Sequence, residues 1–270
     1  EDEHAHLVAE MLLSGLNLHG RVGARVHPVG HPSFEQDLDT LIGCAGAHLA
    51  YLMIPKPQGA DDVMLACDVI DHLTHVHGHQ RSIPVHVLVE THGALREVQA
   101  IAMHPRIESV SFGLMDFVSA HRGAIPASAM GVTGQFSHPL VLRAKLEIAA
   151  ACHAFGKTPS HSVVTEFANL QAIADAAHKA CRELGFTRMW SIHPNQIRPI
   201  VDAFAPSAAE VDQAIEVIHA AQAADWAPIR QRDTLHDRAS YRYFWQVLER
   251  AHRTGQPLPA EVRLAWFEPG

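Results

Sequence analysis

Short apolar runs alternate with longer Ala- and Leu-rich segments along most of the chain. No run exceeds eight residues, and the runs are rich in β-branched side chains, as β-strands are. Their nearly continuous apolar character is typical of strands that are buried on both faces of a parallel sheet. The predicted strands cover residues 22–28, 48–55, 84–90 and 107–113, with weaker runs at 158–164 and 188–193.

The segments between these runs carry apolar positions at spacings of three and four residues, which predicts amphipathic helices. One of them opens on Ser207 with Glu210 three residues later, the spacing of a capping box. The predicted helices cover residues 4–16, 61–74, 140–154, 169–184 and 207–223.

Strands that alternate with helices predict a parallel sheet with crossover helices. Six such units are visible, and the first helix would follow a strand that ends at Glu1 and Asp2. We therefore predict an α/β fold, a (β/α)8 TIM barrel over residues 1–225 whose first strands are missing from the chain. An open doubly wound sheet of six strands is the alternative. The chain has no G-x-G-x-x-G after its first strand and no Walker A motif, which disfavours a nucleotide-binding sheet of that kind.

The last part of the chain, residues 226–270, differs from the rest. It holds three of the four tryptophans, and a helix loaded with aromatic side chains is predicted over residues 239–251. We interpret this C-terminal helical extension as a lid or a subunit contact, because exposed aromatic side chains are enriched at interfaces. A helix that only packs on the outside of the barrel is the alternative.

Composition narrows the class of protein. The 270 residues are 47% hydrophobic and 19% charged, which is ordinary for a globular protein. The formal net charge of −8 excludes the basic surplus of proteins that bind nucleic acid or anionic membranes. No apolar stretch is long enough to span a bilayer, and no signal peptide is visible. The four cysteines form no C-x-x-C pair and have small apolar neighbours, so a cytoplasmic protein is expected.

Ionisable side chains follow almost every predicted strand, and in a barrel the carboxyl ends of the strands hold the active site. Glu90 ends the third run and Asp116 follows the fourth. A site with two carboxylate ligands, in which water or substrate oxygens fill the other coordination positions of the cation, suits Mg²⁺ better than Zn²⁺. Arg25 can bind a substrate carboxylate through two hydrogen bonds. The alternative role for each carboxylate, taken singly, is a helix cap or a surface ion pair.

Seven short motifs in one order resemble the HpcH/HpaI aldolase and citrate lyase family, and most closely its citrate lyase β-like and malyl-CoA lyase branch. The resemblance covers about residues 1–225. The matching pieces are Glu1-Asp2 for D-L-E-D, Arg25-Val26-His27-Pro28 for R-V-N-P, Ile54-Pro55-Lys56 for L-P-K, Leu88-Val89-Glu90-Thr91 for L-I-E-T, Phe112-Gly113 with Asp116 for F-G-x-x-D, Leu184-Gly185-Phe186 followed by residues 192–197 for L-G-F and I-H-P-x-Q-I, and residues 204–211 for F-x-P-S-x-x-E-V.

The resemblance implies a TIM barrel, Mg²⁺ held by Glu90 and Asp116, and Arg25 on the carboxylate of a 2-oxo acid. It places Asp2 near the reacting carbon as an acid or base. The substrate would also contact a further set of positions, Lys56, Gly113 and His193. Two departures change the pocket: His27 replaces the Asn of R-V-N-P, and the aspartate of a later strand is replaced within residues 159–162.

The function implied is a Mg²⁺-dependent carbon–carbon lyase that joins or separates a 2-oxo acid and an acyl-CoA thioester. A 2-oxo acid aldolase and a malyl-CoA-type thioesterase on the same scaffold are the enzymatic alternatives. A catalytically silent barrel for assembly, or for metal binding through the histidines of residues 72–79, is the alternative from another class. A solvated helix end is the simpler interpretation of those histidines. Family members are commonly trimers or hexamers, so a homo-oligomer is expected.

Overall fold

The structure is a computed structural model that describes residues 2–268, and it contains a six-stranded parallel sheet. The strands follow one another in the sheet in the same order as along the chain. That order is typical of a barrel wall and excludes the doubly wound alternative, in which the strand order reverses within the sheet. Each strand lies inside a predicted run: β1 is Ala24–Arg25, β2 is Leu52–Ile54, β3 is Val85–Val89, β4 is Ile107–Phe112, β5 is Thr158–His161 and β6 is Arg188–Met189.

The predicted helices are all observed, with ends that differ by a few residues. Six further helices are not among the predicted ones; they begin at Phe34, His92, Val98, Leu114, Pro194 and Ala260. The full set is α1 Asp2–Leu13, α2 Phe34–Ala45, α3 Ala60–Val76, α4 His92–Arg96, α5 Val98–Met103, α6 Leu114–Ser119, α7 Pro139–Ala154, α8 Leu170–Arg182, α9 Pro194–Phe204, α10 Ala208–Ala223, α11 Arg238–Thr254 and α12 Ala260–Trp266.

The alternation of side chains along β3 shows how the sheet positions the site. Every residue of β3 is buried. Val85, Val87 and Val89 share one face, whereas His86 and Glu90 lie on the other, because successive side chains in a strand point to opposite faces. Glu90 directly follows β3 and therefore emerges at the carboxyl end of the sheet.

Two compact units divide the chain, one of residues 1–194 and one of residues 195–270. The second unit has its own core, in which α10 and α11 pack around Val217, Ile218, Val247 and Leu248. An antiparallel hairpin, β7 (Ile229–Gln231) and β8 (Thr234–His236), joins these two helices. The predicted boundary between residues 225 and 226 stays a prediction. So does the role of the C-terminal extension as a lid or subunit contact.

None of the helices among the described residues is long and apolar enough to cross a membrane.

Candidate active site

Glu90 is a buried carboxylate at the end of β3. Its side chain packs against Gly113, the residue between β4 and α6, whose amide donates a hydrogen bond to the Val89 carbonyl at 2.9 Å. A Cβ atom at Gly113 would lie 2.4 Å from Glu90 Oε2. Position 113 therefore accommodates only glycine while Glu90 keeps its place, and the same turn brings Asp116 into the first turn of α6.

Lys56 links the two carboxylates. Its backbone N–H donates to Glu90 Oε1 at 3.1 Å, and its Nζ lies 2.9 Å from Asp116 Oδ1. The residue has φ = 51°, in the left-handed region that non-glycine residues seldom occupy. Such a conformation costs on the order of 1–3 kcal/mol and persists where the surroundings hold it in place. The flanking prolines and the contact with Glu90 provide that constraint.

The environment of the site shifts the pKa of Glu90 and of Lys56. The pKa of Glu90 is raised to about 7, first by burial and then by the negative charge of Asp116, while the hydrogen bond from the Lys56 amide opposes the shift. The Asp116 carboxylate raises the pKa of Lys56, through their hydrogen bond first and their charge second. Both members of this ion pair are about half exposed, so the pair contributes less than about 1 kcal/mol to stability.

This donor set fits a divalent cation. A buried carboxylate whose ionised form is opposed by a second carboxylate is stabilised when a cation joins the pair. No group of three or more His, Cys, Asp and Glu side chains within residues 3–268 could hold a metal. A cation at Glu90 and Asp116 would therefore take its remaining ligands from water or substrate oxygens, as Mg²⁺ commonly does.

A cavity of about 610 Å³ brings four predicted site residues together: Arg25, Lys56, Glu90 and Asp116 all line it. Gly113 contributes through its contact with Glu90. His193 does not line this cavity, and its ring stacks on Phe167 with centroids 5.6 Å apart. Its predicted contact with substrate stays a prediction.

The prediction that a strand ends at Glu1 and Asp2 is wrong at Asp2, because Asp2 is the first residue of helix α1. Glu1 and the side chain of Asp2 lie outside the described residues. The predicted acid–base role of Asp2 stays a prediction.

The same cavity contains a residue that the sequence analysis missed. Asp37, in the first turn of α2, lines it together with His27, and the two side chains lie 2.6 Å apart. No motif links these positions, because the pairing depends on how the loop after β1 folds back onto α2. The only signal in the sequence is that His27 departs from the R-V-N-P motif.

Two of the histidines of residues 72–79, which follow α3, contact α2. His77 Nε2 lies 2.8 Å from Asp39 Oδ1, and His79 Nε2 donates to the Ile42 carbonyl at 2.8 Å. Both rings lie against glycines of the α2 region, Gly43 and Gly46, where a Cβ atom would clash with them. Within residues 3–268 these histidines belong to no group of three or more side chains that could hold a metal.

The sequence profile of the HpcH/HpaI aldolase/citrate lyase family matches residues 4–194, more than half of the chain. The chain belongs to this family. The match covers β1 to β6 and every described residue of the cavity, so the resemblance seen in the motifs is confirmed.

Individual relatives agree with this membership. A citrate lyase from Burkholderia xenovorans LB400, known from a crystal structure, is 49% identical to this chain, with a TM-score of 0.88. The aligned region covers 98% of this chain and 83% of that protein. The L-malyl-CoA/β-methylmalyl-CoA lyase of Cereibacter sphaeroides is 25% identical over 216 residues, which are 75% of this chain and 66% of that protein. The chain thus spans just under two thirds of that curated relative.

A more distant likeness concerns the fold. The CitE protein of Mycobacterium tuberculosis, solved with magnesium, acetoacetate and coenzyme A, is 21% identical with a TM-score of 0.65. The aligned region covers 84% of this chain and 77% of that protein. Together with the parallel sheet in sequential order, these comparisons confirm the predicted TIM-barrel type of fold.

Proposed function

We propose that this protein is a Mg²⁺-dependent carbon–carbon lyase that forms or cleaves the bond between a 2-oxo acid and an acyl-CoA thioester. The observation that carries the proposal is the buried Glu90 beside Asp116 in one cavity with Arg25. The lyases among the family relatives, one of them named for malyl-CoA substrates, support the reaction class and the thioester.

The charges of the cavity match such a reaction. When bound at Glu90 and Asp116, Mg²⁺ would supply a Lewis acid that stabilises negative charge developing on an oxo-acid oxygen. The guanidinium of Arg25 binds the substrate carboxylate and sets its orientation. Gly113 leaves space for the Glu90 side chain, and the Lys56 amide holds one oxygen of that carboxylate.

Further parts of the proposal rest on the family. A homo-oligomer, trimeric or hexameric, in the cytoplasm is the expected setting of the enzyme. The net charge of −8 argues against nucleic acid as a partner.

The test is a coupled assay in which Mg²⁺ and a panel of acyl-CoA thioesters and 2-oxo acids are offered to the protein. We expect turnover by the wild type and a loss of about 10²–10³-fold in Glu90→Gln and Asp116→Asn. Glu147→Gln is the matched control, because Glu147 is a surface carboxylate of α7 paired with Arg143 at 2.7 Å. Its turnover is expected to equal that of the wild type.

Other outcomes point to the alternatives. Cleavage of a free hydroxy-oxo acid without any thioester reaction would identify an aldolase. Thioester hydrolysis without carbon–carbon cleavage would identify a thioesterase. Equal activity of all three variants and the wild type would remove Glu90 and Asp116 from the chemistry.

A further inference from the structure

His27 and Asp37 form a hydrogen-bonded pair on the wall of the cavity. Asp37 Oδ2 accepts the backbone N–H of His27 at 2.9 Å and lies 2.6 Å from its Nδ1. Asp37 is only 7% exposed. Because an ionised carboxylate only accepts hydrogen bonds, Nδ1 carries the imidazole proton and the lone pair resides on Nε2.

The ring of His27 is held from a second side as well. His31 stacks on it with centroids 4.1 Å apart and an interplanar angle of 9°. The imidazole of His31 in turn accepts the Ser33 amide at 3.2 Å, within the turn that leads into α2. Two independent contacts therefore fix both the position and the plane of the His27 ring.

The ring of His27 lies at the wall of the site. His27 lines the same cavity as Arg25, Glu90 and Asp116, and its side chain is one third exposed. Within residues 3–268, Nε2 has no hydrogen-bond partner. A partly exposed histidine on the wall of a cavity, oriented by a buried carboxylate through Nδ1, is the arrangement of a general base.

We propose that His27 is a catalytic acid–base of this enzyme and that Asp37 is its positioning residue; the proposal rests on the lyase function proposed above. In the cleavage direction, the proton of the substrate hydroxyl moves to Nε2 as the hydroxyl becomes the carbonyl of the oxo acid. The carbon–carbon bond breaks, and its electron pair passes into the thioester enolate. The imidazolium then delivers the proton to the enolate carbon, and the Asp37 carboxylate stabilises the imidazolium in between.

The other groups of the cavity are less suited to this role. Lys56 is paired with Asp116, and Glu90 accepts the Lys56 amide and belongs to the proposed cation site. Within residues 3–268, no carboxylate orients His4, which reaches the cavity from α1. The titratable and charged groups that face His27 or line its cavity are His4, Arg25, His31, Asp37, Lys56, Glu90 and Asp116.

The experiment compares His27→Gln, His27→Ala, Asp37→Asn and the control His77→Gln in the lyase assay with Mg²⁺. His77 is a suitable control because it pairs with Asp39 of the same helix α2 at 2.8 Å but lies outside the cavity. We expect His27→Gln to lower kcat about 10²–10⁴-fold with an unchanged KM for the oxo acid. Asp37→Asn is expected to lower kcat about 10–100-fold and to shift the pH profile, because the tautomer and the imidazolium lose their support.

Imidazole added to His27→Ala is expected to restore part of kcat, which a structural role of the side chain would not produce. Thermal melts of each variant establish that it is folded. The inference is overturned if the wild type turns over and a folded His27→Gln keeps kcat within about threefold. Absence of rescue in a folded His27→Ala also overturns it. Absence of any lyase turnover by the wild type is a different result, because it overturns the proposed function and therefore also the inference that depends on it.

Discussion

Gly113 offers a sharp test of the site, because its role follows from one contact. In Gly113→Ala the new Cβ would lie 2.4 Å from Glu90 Oε2 and 2.5 Å from Glu90 Cβ. Carbon atoms in contact prefer about 3.5–4.0 Å, so Glu90 has to move by about 1 Å. The backbone is no obstacle to the alanine, since Gly113 has φ = −92°.

Two effects on stability oppose one another in Gly113→Ala. Overpacking costs about 1–3 kcal/mol. Alanine also lowers the conformational entropy of the unfolded chain, which stabilises the folded state by about 0.4–1 kcal/mol. The net loss in the free energy of unfolding is therefore at most about 2–3 kcal/mol, whereas a displacement of about 1 Å in a catalytic carboxylate costs about 100-fold in rate.

The assay measures kcat and the free energy of unfolding of Gly113→Ala and of Gly131→Ala. Gly131 is the matched control, since a Cβ there meets its nearest neighbour, the Ser128 carbonyl oxygen, at 3.5 Å. We expect a loss of about 100-fold in kcat for Gly113→Ala and none for Gly131→Ala. Wild-type activity in Gly113→Ala would refute the reasoning, because Glu90 would then have no need of its observed position.

Two further predictions concern pH. Glu90 has a raised pKa in the folded state, so the folded protein retains a proton that the unfolded chain releases, and metal-free stability falls as pH rises from about 4.5 to about 7. Glu90→Gln should remove this decline and be more stable than the metal-free wild type at pH 8, by on the order of 3 kcal/mol in denaturant titrations; equal stability would contradict it. Lys145 is fully buried, and desolvation lowers its pKa well below 10.5. Stability should therefore rise toward pH 10 in the wild type and not in Lys145→Met, and parallel curves would contradict this.

The parts of the fold that the sequence predicts are those set by local periodicity. Short apolar runs locate β1 to β6, and the capping box at Ser207 locates the start of α10, where both of its hydrogen bonds form. The carboxylates Glu90 and Asp116 are predictable because each follows a strand, and parallel strands end at one edge of the sheet.

The missed features depend on contacts between distant parts of the chain. In the sequence, Asp37 is an ordinary acidic residue in the first turn of a helix. Its contact with His27 exists only because the loop after β1 folds against that helix. The close approach of Gly113 to Glu90 and the positive φ of Lys56 arise in the same way, from packing between neighbouring strand ends. Asp2 belongs to a helix and not to a strand end, because it is continuous with the helical pattern of the residues that follow.

The central claim is that Glu90 and Asp116 hold Mg²⁺, and calorimetric titration of Mg²⁺ tests it most directly. Because burial raises the pKa of the Glu90 carboxyl toward neutral pH, part of the protein carries a proton there near pH 7, and Mg²⁺ binding should release protons. Titrations in two buffers of different ionisation enthalpy measure that release. We predict one Mg²⁺ per chain with this proton release in the wild type, and no binding in Glu90→Gln or Asp116→Asn. Equal Mg²⁺ binding by the wild type and both variants would contradict it.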